Sequence, residues 1–164
     1  MHAQFEDRAE ADSKDGHGRS PLSYAAVEGH EAVVKILVAR DDVEVDSKDE
    51  DGRSPLSYAA RYGNEAVVRI LVARDDVEVT TKDDHGRLPL SYAAEEGHEA
   101  VVKILVARDD VEVDSKDEHG RSPLSSAAER GHGRVVKILR ARGDVEVDSQ
   151  DDHGRAPLSD AAEA

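Results

Sequence analysis

An all-α solenoid of stacked helix-turn-helix units with extended, β-hairpin-like fingers is the fold class this sequence predicts, and three observations predict it. Pro21, Pro55, Pro89, Pro123 and Pro157 recur every 34 residues, and a fixed period of about 20–50 residues marks a repeat architecture. Each period holds two short apolar patterns of helical spacing, separated by Gly and one further residue. The rest of each period is charged and rich in turn formers. The complete copies span 15–48, 49–82, 83–116 and 117–150, with a partial copy over 1–14 and a half copy over 151–164.

Within a copy the elements follow in order. From Ser54 to Tyr62 a hydroxyl residue precedes Pro, apolar residues and Ala-Ala, which reads as an N-cap, a first helical position and a short helix. Gly63 closes it. From Glu65 to Ala73, Val67, Val68, Ile70 and Leu71 fall on one helical face, leaving Arg69 and Arg74 for solvent. From Asp75 to Gly86 the chain alternates at Val77-Glu78-Val79 and ends in Asp84-His85-Gly86, an extended finger with a tight turn. A single unit has no interior, and Ala25, Ala26, Val33, Val34, Ile36 and Leu37 are expected to pack against the next copy.

Composition narrows the function. Among 164 residues, 22 Lys and Arg face 37 Asp and Glu, a net charge of −15. Such a field repels phosphate backbones and anionic membranes, which excludes nucleic acid and lipid and favours a protein partner with a basic surface. Without Cys there is no disulfide, thiolate or Cys-ligated zinc. No stretch reaches the roughly 18 apolar residues of a membrane span, and the first residues lack a signal-peptide pattern. The reading is an intracellular, cytoplasmic chain.

The stretch DEDGRSPLSYAARYGNEAVVRILVARDDVEV resembles the ankyrin repeat, with its Gly turn, T-P-L-H-like helix start, Ala-Ala, Gly-His and Val- and Leu-rich second helix. Ser23, Ser57, Ser91, Ser125 and Ser159 stand where that family usually has His. SPLSYAA and GHEAVVKILV also resemble the ankyrin arrays of fungal NACHT-type immune receptors. The resemblance implies a non-catalytic protein-binding module that uses a concave face. A structural, self-assembling or engineered scaffold is the alternative, since residues 15–48 and 83–116 agree at 31 of 34 positions.

Differences between copies fall in the turns and late in the first helix, positions that resemble the family's recognition surface. They include His17, Asp51, His85 and His119 in the turn, then Arg61, Glu95 and Glu129, then Tyr62, Glu96 and Arg130. Tyr24, Tyr58 and Tyr92 recur at a position that faces the concave surface in ankyrin proteins, beside Arg19, Arg53, Arg87, Arg121 and Arg155 in the turns, with Leu88 at the start of its helix. Tyr and Arg are favoured interface anchors. The alternative is that Tyr fills gaps between copies and Arg balances local acids. Ser126 and Asp160 interrupt the Tyr row.

Other chemistry fails on spacing. His17, His85, His119 and His153 come once per copy, and stacked ankyrin units lie roughly 10 Å apart, too far for one zinc ion. His30, His98 and His132 hold the Gly-His position, structural in that family. A calcium loop begun at Asp46 has Lys48 at its third position and Asp51 at its sixth, where Gly belongs, and one begun at Ser47 has Tyr58 where Glu belongs. No GxSxG, GxGxxG or phosphate loop occurs, so no catalytic residue, metal or cofactor is assigned.

Three further expectations concern stability. Ser20, Ser54 and Ser122 cap their helices whereas Leu88 and Ala156 cannot, which predicts that Leu88→Ser stabilises. Gly143 stands where other copies have Asp41, Asp75 and Asp109, which predicts a left-handed backbone there and a gain from Asp75→Gly. The array begins and ends within a copy, which leaves end-to-end self-association open.

Overall fold

The computed structural model describes residues 11–147 and 150–156. It contains the helices α1 (Pro21–Glu28), α2 (Glu31–Val38), α3 (Pro55–Arg61), α4 (Glu65–Val72), α5 (Pro89–Glu96), α6 (Glu99–Val106), α7 (Pro123–Glu129) and α8 (Gly133–Arg140). First helices stack on first helices, α1 on α3 on α5 on α7, and second helices form a parallel row, α2 to α8. The helix expected after Pro157, with Ser159 and Asp160, lies outside the described residues.

First helices start where Ser and Pro place them. Ser20, Ser54 and Ser122 have extended backbones, and their hydroxyls accept from the N–H of Ser23, Ser57 and Ser125 at 3.2 Å. Pro follows, where no helical donor is needed. At Leu88 one bond is reversed, its own N–H donating to Ser91 Oγ at 3.2 Å. The helix ends at a left-handed glycine, and a Cβ on Gly97 (φ 76°) would meet His132 Nδ1 at 2.5 Å. Glycine is thus required twice, for the turn and for the close approach of the next copy.

In the second helices Val34, Val68, Val102 and Val136 are buried with Leu37, Leu71, Leu105 and Leu139. Val33 is 45% exposed, yet the equivalent Val67, Val101 and Val135 of the later copies are at 1%. This position therefore faces the preceding copy, correcting the expectation that it packs on the next. Ile36 is likewise 66% exposed.

Two expectations about the end of this helix are overturned. The second helices stop at Val38, Val72, Val106 and Arg140 on right-handed Ala caps, and no described residue other than glycine has positive φ. Asp41, Asp75 and Asp109 carry no left-handed strain, so Asp75→Gly has none to relieve. Nor is Arg74 left to solvent. It forks onto Asp76 with two bonds of 2.8 Å and donates to Val38 O of the preceding copy. Arg108 and Arg142 repeat this onto Val72 O and Val106 O at 2.8 and 2.9 Å.

The fingers form no strand among the described residues. Val43, Val45, Val77, Val79, Val111 and Val113 point inward and Glu44, Glu78 and Glu112 outward, as the alternation predicts. Each tip is a turn built by its first Asp, as where Asp83 Oδ1 accepts from the N–H of His85 and Arg87 at 2.9 Å. One backbone bond ties each tip to the next, such as Asp84 N–H to Asp51 O at 3.0 Å and Glu118 N–H to His85 O at 2.9 Å.

Candidate functional site

The face made by the fingers and first helices carries the residues singled out above. Tyr24, Tyr58 and Tyr92 each donate their hydroxyl to the Asp that opens their own turn, Asp15, Asp49 and Asp83. Their exposure differs sharply, at 45%, 3% and 2%. The difference comes from the preceding copy. Arg19 lies over the Tyr58 ring at 5.7 Å, Arg61 lies over the Tyr92 ring at 5.7 Å, and Arg53 Nε donates to the Tyr92 hydroxyl at 3.2 Å. Tyr58 and Tyr92 are thus mortar between copies, and of these three only Tyr24 has an exposed ring.

Electrostatics follow the burial. Burial raises the Asp83 carboxyl, but bonds from Tyr92 and from the N–H groups of Arg87 and His85, with the Arg87 charge, outweigh it and hold the group below its ordinary value. Burial, and then the hydrogen bond to Asp83, push the Tyr92 phenol up to about 12. In the fourth copy Ser126 has no phenol to offer. Arg121 there turns onto its own turn, donating from Nε to Asp117 Oδ2 at 3.1 Å.

The other predicted residues divide by access. His17, Tyr62, Glu96, His119, Glu129 and Arg130 are exposed, while Arg19, Asp51, Arg53, Arg61, His85, Arg87, Glu95 and Arg121 are half-buried. Leu88 is fully buried and cannot touch a partner, contrary to its place among the recognition residues. Most of these polar groups already have partners: His17 is hydrogen-bonded to Glu50 at 2.9 Å and His85 to Glu118 at 2.7 Å, while Arg53 pairs with Asp51 at 2.9 Å and Arg130 with Glu95 at 2.9 Å. Arg61 differs. Its guanidinium makes no ion pair among the described residues and sits 5.7 Å from the rings of Tyr62 and Tyr92.

The Gly-His position joins copies. His98 Nε2 bonds Arg61 O at 2.7 Å and His132 Nε2 bonds Glu95 O at 3.0 Å. A carbonyl only accepts, so Nε2 carries the proton. Asn64 does the same work with its amide, donating to Ala26 O and Val27 O at 2.6 and 3.0 Å. The turn aspartates that receive the Tyr hydroxyls were missed as partners, although the constant nine-residue spacing from Asp15 to Tyr24, Asp49 to Tyr58 and Asp83 to Tyr92 was available as a signal.

Among the described residues no group of three His, Asp or Glu side chains is placed to hold a metal ion, and no helix is long and apolar enough to cross a membrane. A cleft of about 210 Å³ opens between the third and fourth fingers, lined by His85, Arg87, Glu118, His119 and Arg121.

Comparison with known proteins agrees with this architecture. No curated protein matches the chain. A family model described as ankyrin repeats, in three copies, matches residues 4–83, 42–117 and 90–164. Together these matches span nearly the whole chain, and the chain belongs to the ankyrin-repeat family.

Proposed function

We infer that the chain is a non-catalytic module that binds a protein partner on its finger-and-first-helix side, the concave side in its family. Ankyrin repeats are in general protein–protein interaction modules. The observation that carries the reading is the pair Arg61 and Tyr62. Both stand at positions that change from copy to copy on a nearly constant framework. Tyr62 is 50% exposed, and the Arg61 guanidinium is braced by two rings with no ion pair among the described residues. Tyr and Arg are enriched among the few residues that dominate interface energy. The net charge of −15 favours a partner whose surface is basic around one acceptor for Arg61.

The test is selection of binders from a displayed protein library, followed by affinity measurement on variants. Arg61→Ala with Tyr62→Ala is expected to weaken the selected binders by about ten-fold or more, whereas Arg69→Ala on the outward face of α4 leaves them unchanged. Binders that ignore the double variant and lose affinity on Arg69→Ala reject this face. Self-association is a second reading, favoured by Val33 and Ile36, which stand 45% and 66% exposed. Light scattering across a wide concentration range separates the two: a constant 17.8 kDa supports the binding module, and a rising mass supports assembly.

A further inference from the structure

The second helices of the first three copies share one charge pattern, and the fourth departs from it in a single direction. Helices α2, α4 and α6 each carry one acid in the first turn and one base in the last, Glu31 with Lys35 at 2.8 Å, Glu65 with Arg69 at 2.8 Å and Glu99 with Lys103 at 3.3 Å, so each helix is neutral. In α8 that Glu is replaced by Gly133, the Ala after it by Arg134, and the final Val by Arg140. The helix therefore holds three basic residues and no acid, in a chain of net charge −15. Arg134, Lys137 and Arg140 are all exposed, Arg134 at 85%. Lys137 and Arg140 make no ion pair among the described residues, and Arg134 makes a long one, 3.8 Å to Glu99, which also holds Lys103.

Packing does not call for these changes. A Cβ at Gly133 would meet nothing within 4 Å and its φ is not positive, so glycine is not required there. The apolar side of α8, with Val135, Val136 and Leu139, is buried as in the other copies. Nor does the helix gain at its start, because losing the first-turn acid and placing Arg134 there both oppose the helix dipole, although Arg140 suits its end. Side chains three residues apart are neighbours on a helix, so the three cations form one exposed stripe about 9 Å long, with Lys137 on the outward face where Arg69 stands in α4.

We propose that this stripe docks an acidic segment of a protein partner, whose Asp or Glu carboxylates accept from Arg134, Lys137 and Arg140. The site lies on the second helices, apart from Arg61 and Tyr62, and is independent of the binding face inferred above. A short acidic segment suits it better than a nucleic acid. Three carboxylates within about 9 Å confine their charge to the stripe, whereas a duplex carries about one charge per 1.7 Å and runs on over the acidic copies beside it. At 0.15 M salt the screening length of about 8 Å lets the stripe act locally against the net charge of the chain.

The probe is hexaglutamate, acetylated and amidated at its ends, titrated into the nitrogen-labelled full chain while the backbone amide cross-peaks of α6 and α8 are followed. Saturable shifts are expected along α8, weakening as NaCl is raised, with α6 unmoved as the internal control. Gly133→Glu with Arg134→Ala and Arg140→Val gives α8 the sequence of α2 and α6, EAVVKILV, and is expected to weaken binding by about ten-fold or more. Lys137→Gln with Arg140→Gln alters exposed side chains alone, is expected to weaken binding several-fold, and serves if the triple variant does not fold. No saturable shift at α8, equal shifts at α6 and α8, or undiminished binding in both variants each overturns the proposal. Tighter binding of a thymidine hexanucleotide overturns it too, by making the stripe a phosphate site. So does a molar mass that rises with concentration in the wild type but not in the triple variant, which assigns the stripe to a second copy of the chain. Library binders that depend on Arg61 and Tyr62 are expected to bind the triple variant unchanged, so failure at one face is read separately from failure at the other.

Discussion

Tyr24, Tyr58 and Tyr92 occupy the same position of three copies and bond the same turn aspartate, yet only the last two are enclosed by arginines of a preceding copy. Identical residues therefore carry different weight. In Tyr92→Phe the Asp83 carboxylate loses a donor and Arg53 Nε loses its acceptor, both in a water-poor joint. The expected loss is about 1–2 kcal/mol of stability, read as a lower denaturant midpoint at unchanged slope. Tyr24→Phe, at a solvent-exposed site, is expected to leave the midpoint where it is. The pH dependence has a definite sign. The folded phenol of Tyr92 titrates at about 12, above the ordinary value of about 10, so its contribution is complete below pH ~10 and is lost as the pH climbs through 12. The gap between wild type and Tyr92→Phe closes over that window.

At the scale of the helix, Leu88 sets a missing cap against a buried side chain. Ser20, Ser54 and Ser122 accept a 3.2 Å bond that Leu88 cannot, and a restored cap contributes about 1 kcal/mol. Leu88 is, however, fully buried, and burying a leucine contributes about 1.5–3 kcal/mol, with a further penalty for the space its removal leaves. Burial outweighs the cap, and Leu88→Ser is expected to lower the thermal midpoint, the reverse of what capping alone suggests. Local chemistry was legible here: Ser-Pro starts, glycine ends and the Val and Leu face all lie where the periodicity puts them. What the sequence concealed depends on the neighbouring copy. The direction of Val33, the bond from Arg74 to Val38 O and the burial of Tyr58 are set across joints, over separations of about one repeat. A side chain such as Arg74 therefore reads as solvent-facing within its own helix while it is an intercopy tie in the stack. Asp75 failed differently, because Gly143 alone adopts positive φ and its equivalents end on an ordinary right-handed turn.

Across the whole array the joints are held chiefly by contacts that do not depend on net charge: buried Val and Leu, finger backbone bonds, and His98 and His132 on carbonyl oxygens. Charge acts over these joints as a background. The four complete copies carry −3, −2, −5 and 0, and like groups recur one repeat apart. Asp46 shows the crowding: burial raises its carboxyl, and the charges of Glu78, Asp76 and Glu44 raise it further, against the bond from Glu78 N–H. Ion pairs between copies, Arg130 with Glu95 and Arg134 with Glu99, have side chains up to 85% exposed, and exposed pairs contribute about 0–1 kcal/mol each. Salt weakens both the attraction and the repulsion. The pairs are short-ranged, whereas the repulsion acts across joints, and the screening length falls from about 30 Å at 0.01 M to about 8 Å at 0.15 M. Screening therefore removes more repulsion than attraction, and the thermal midpoint is expected to rise by about 2–4 °C over that range. The rise should be largest in Arg130→Gln, which removes a positive charge together with the pair to Glu95 and so leaves more unbalanced negative charge. A midpoint that falls steadily with NaCl would mean that the few pairs between copies outweigh the net charge of the stack.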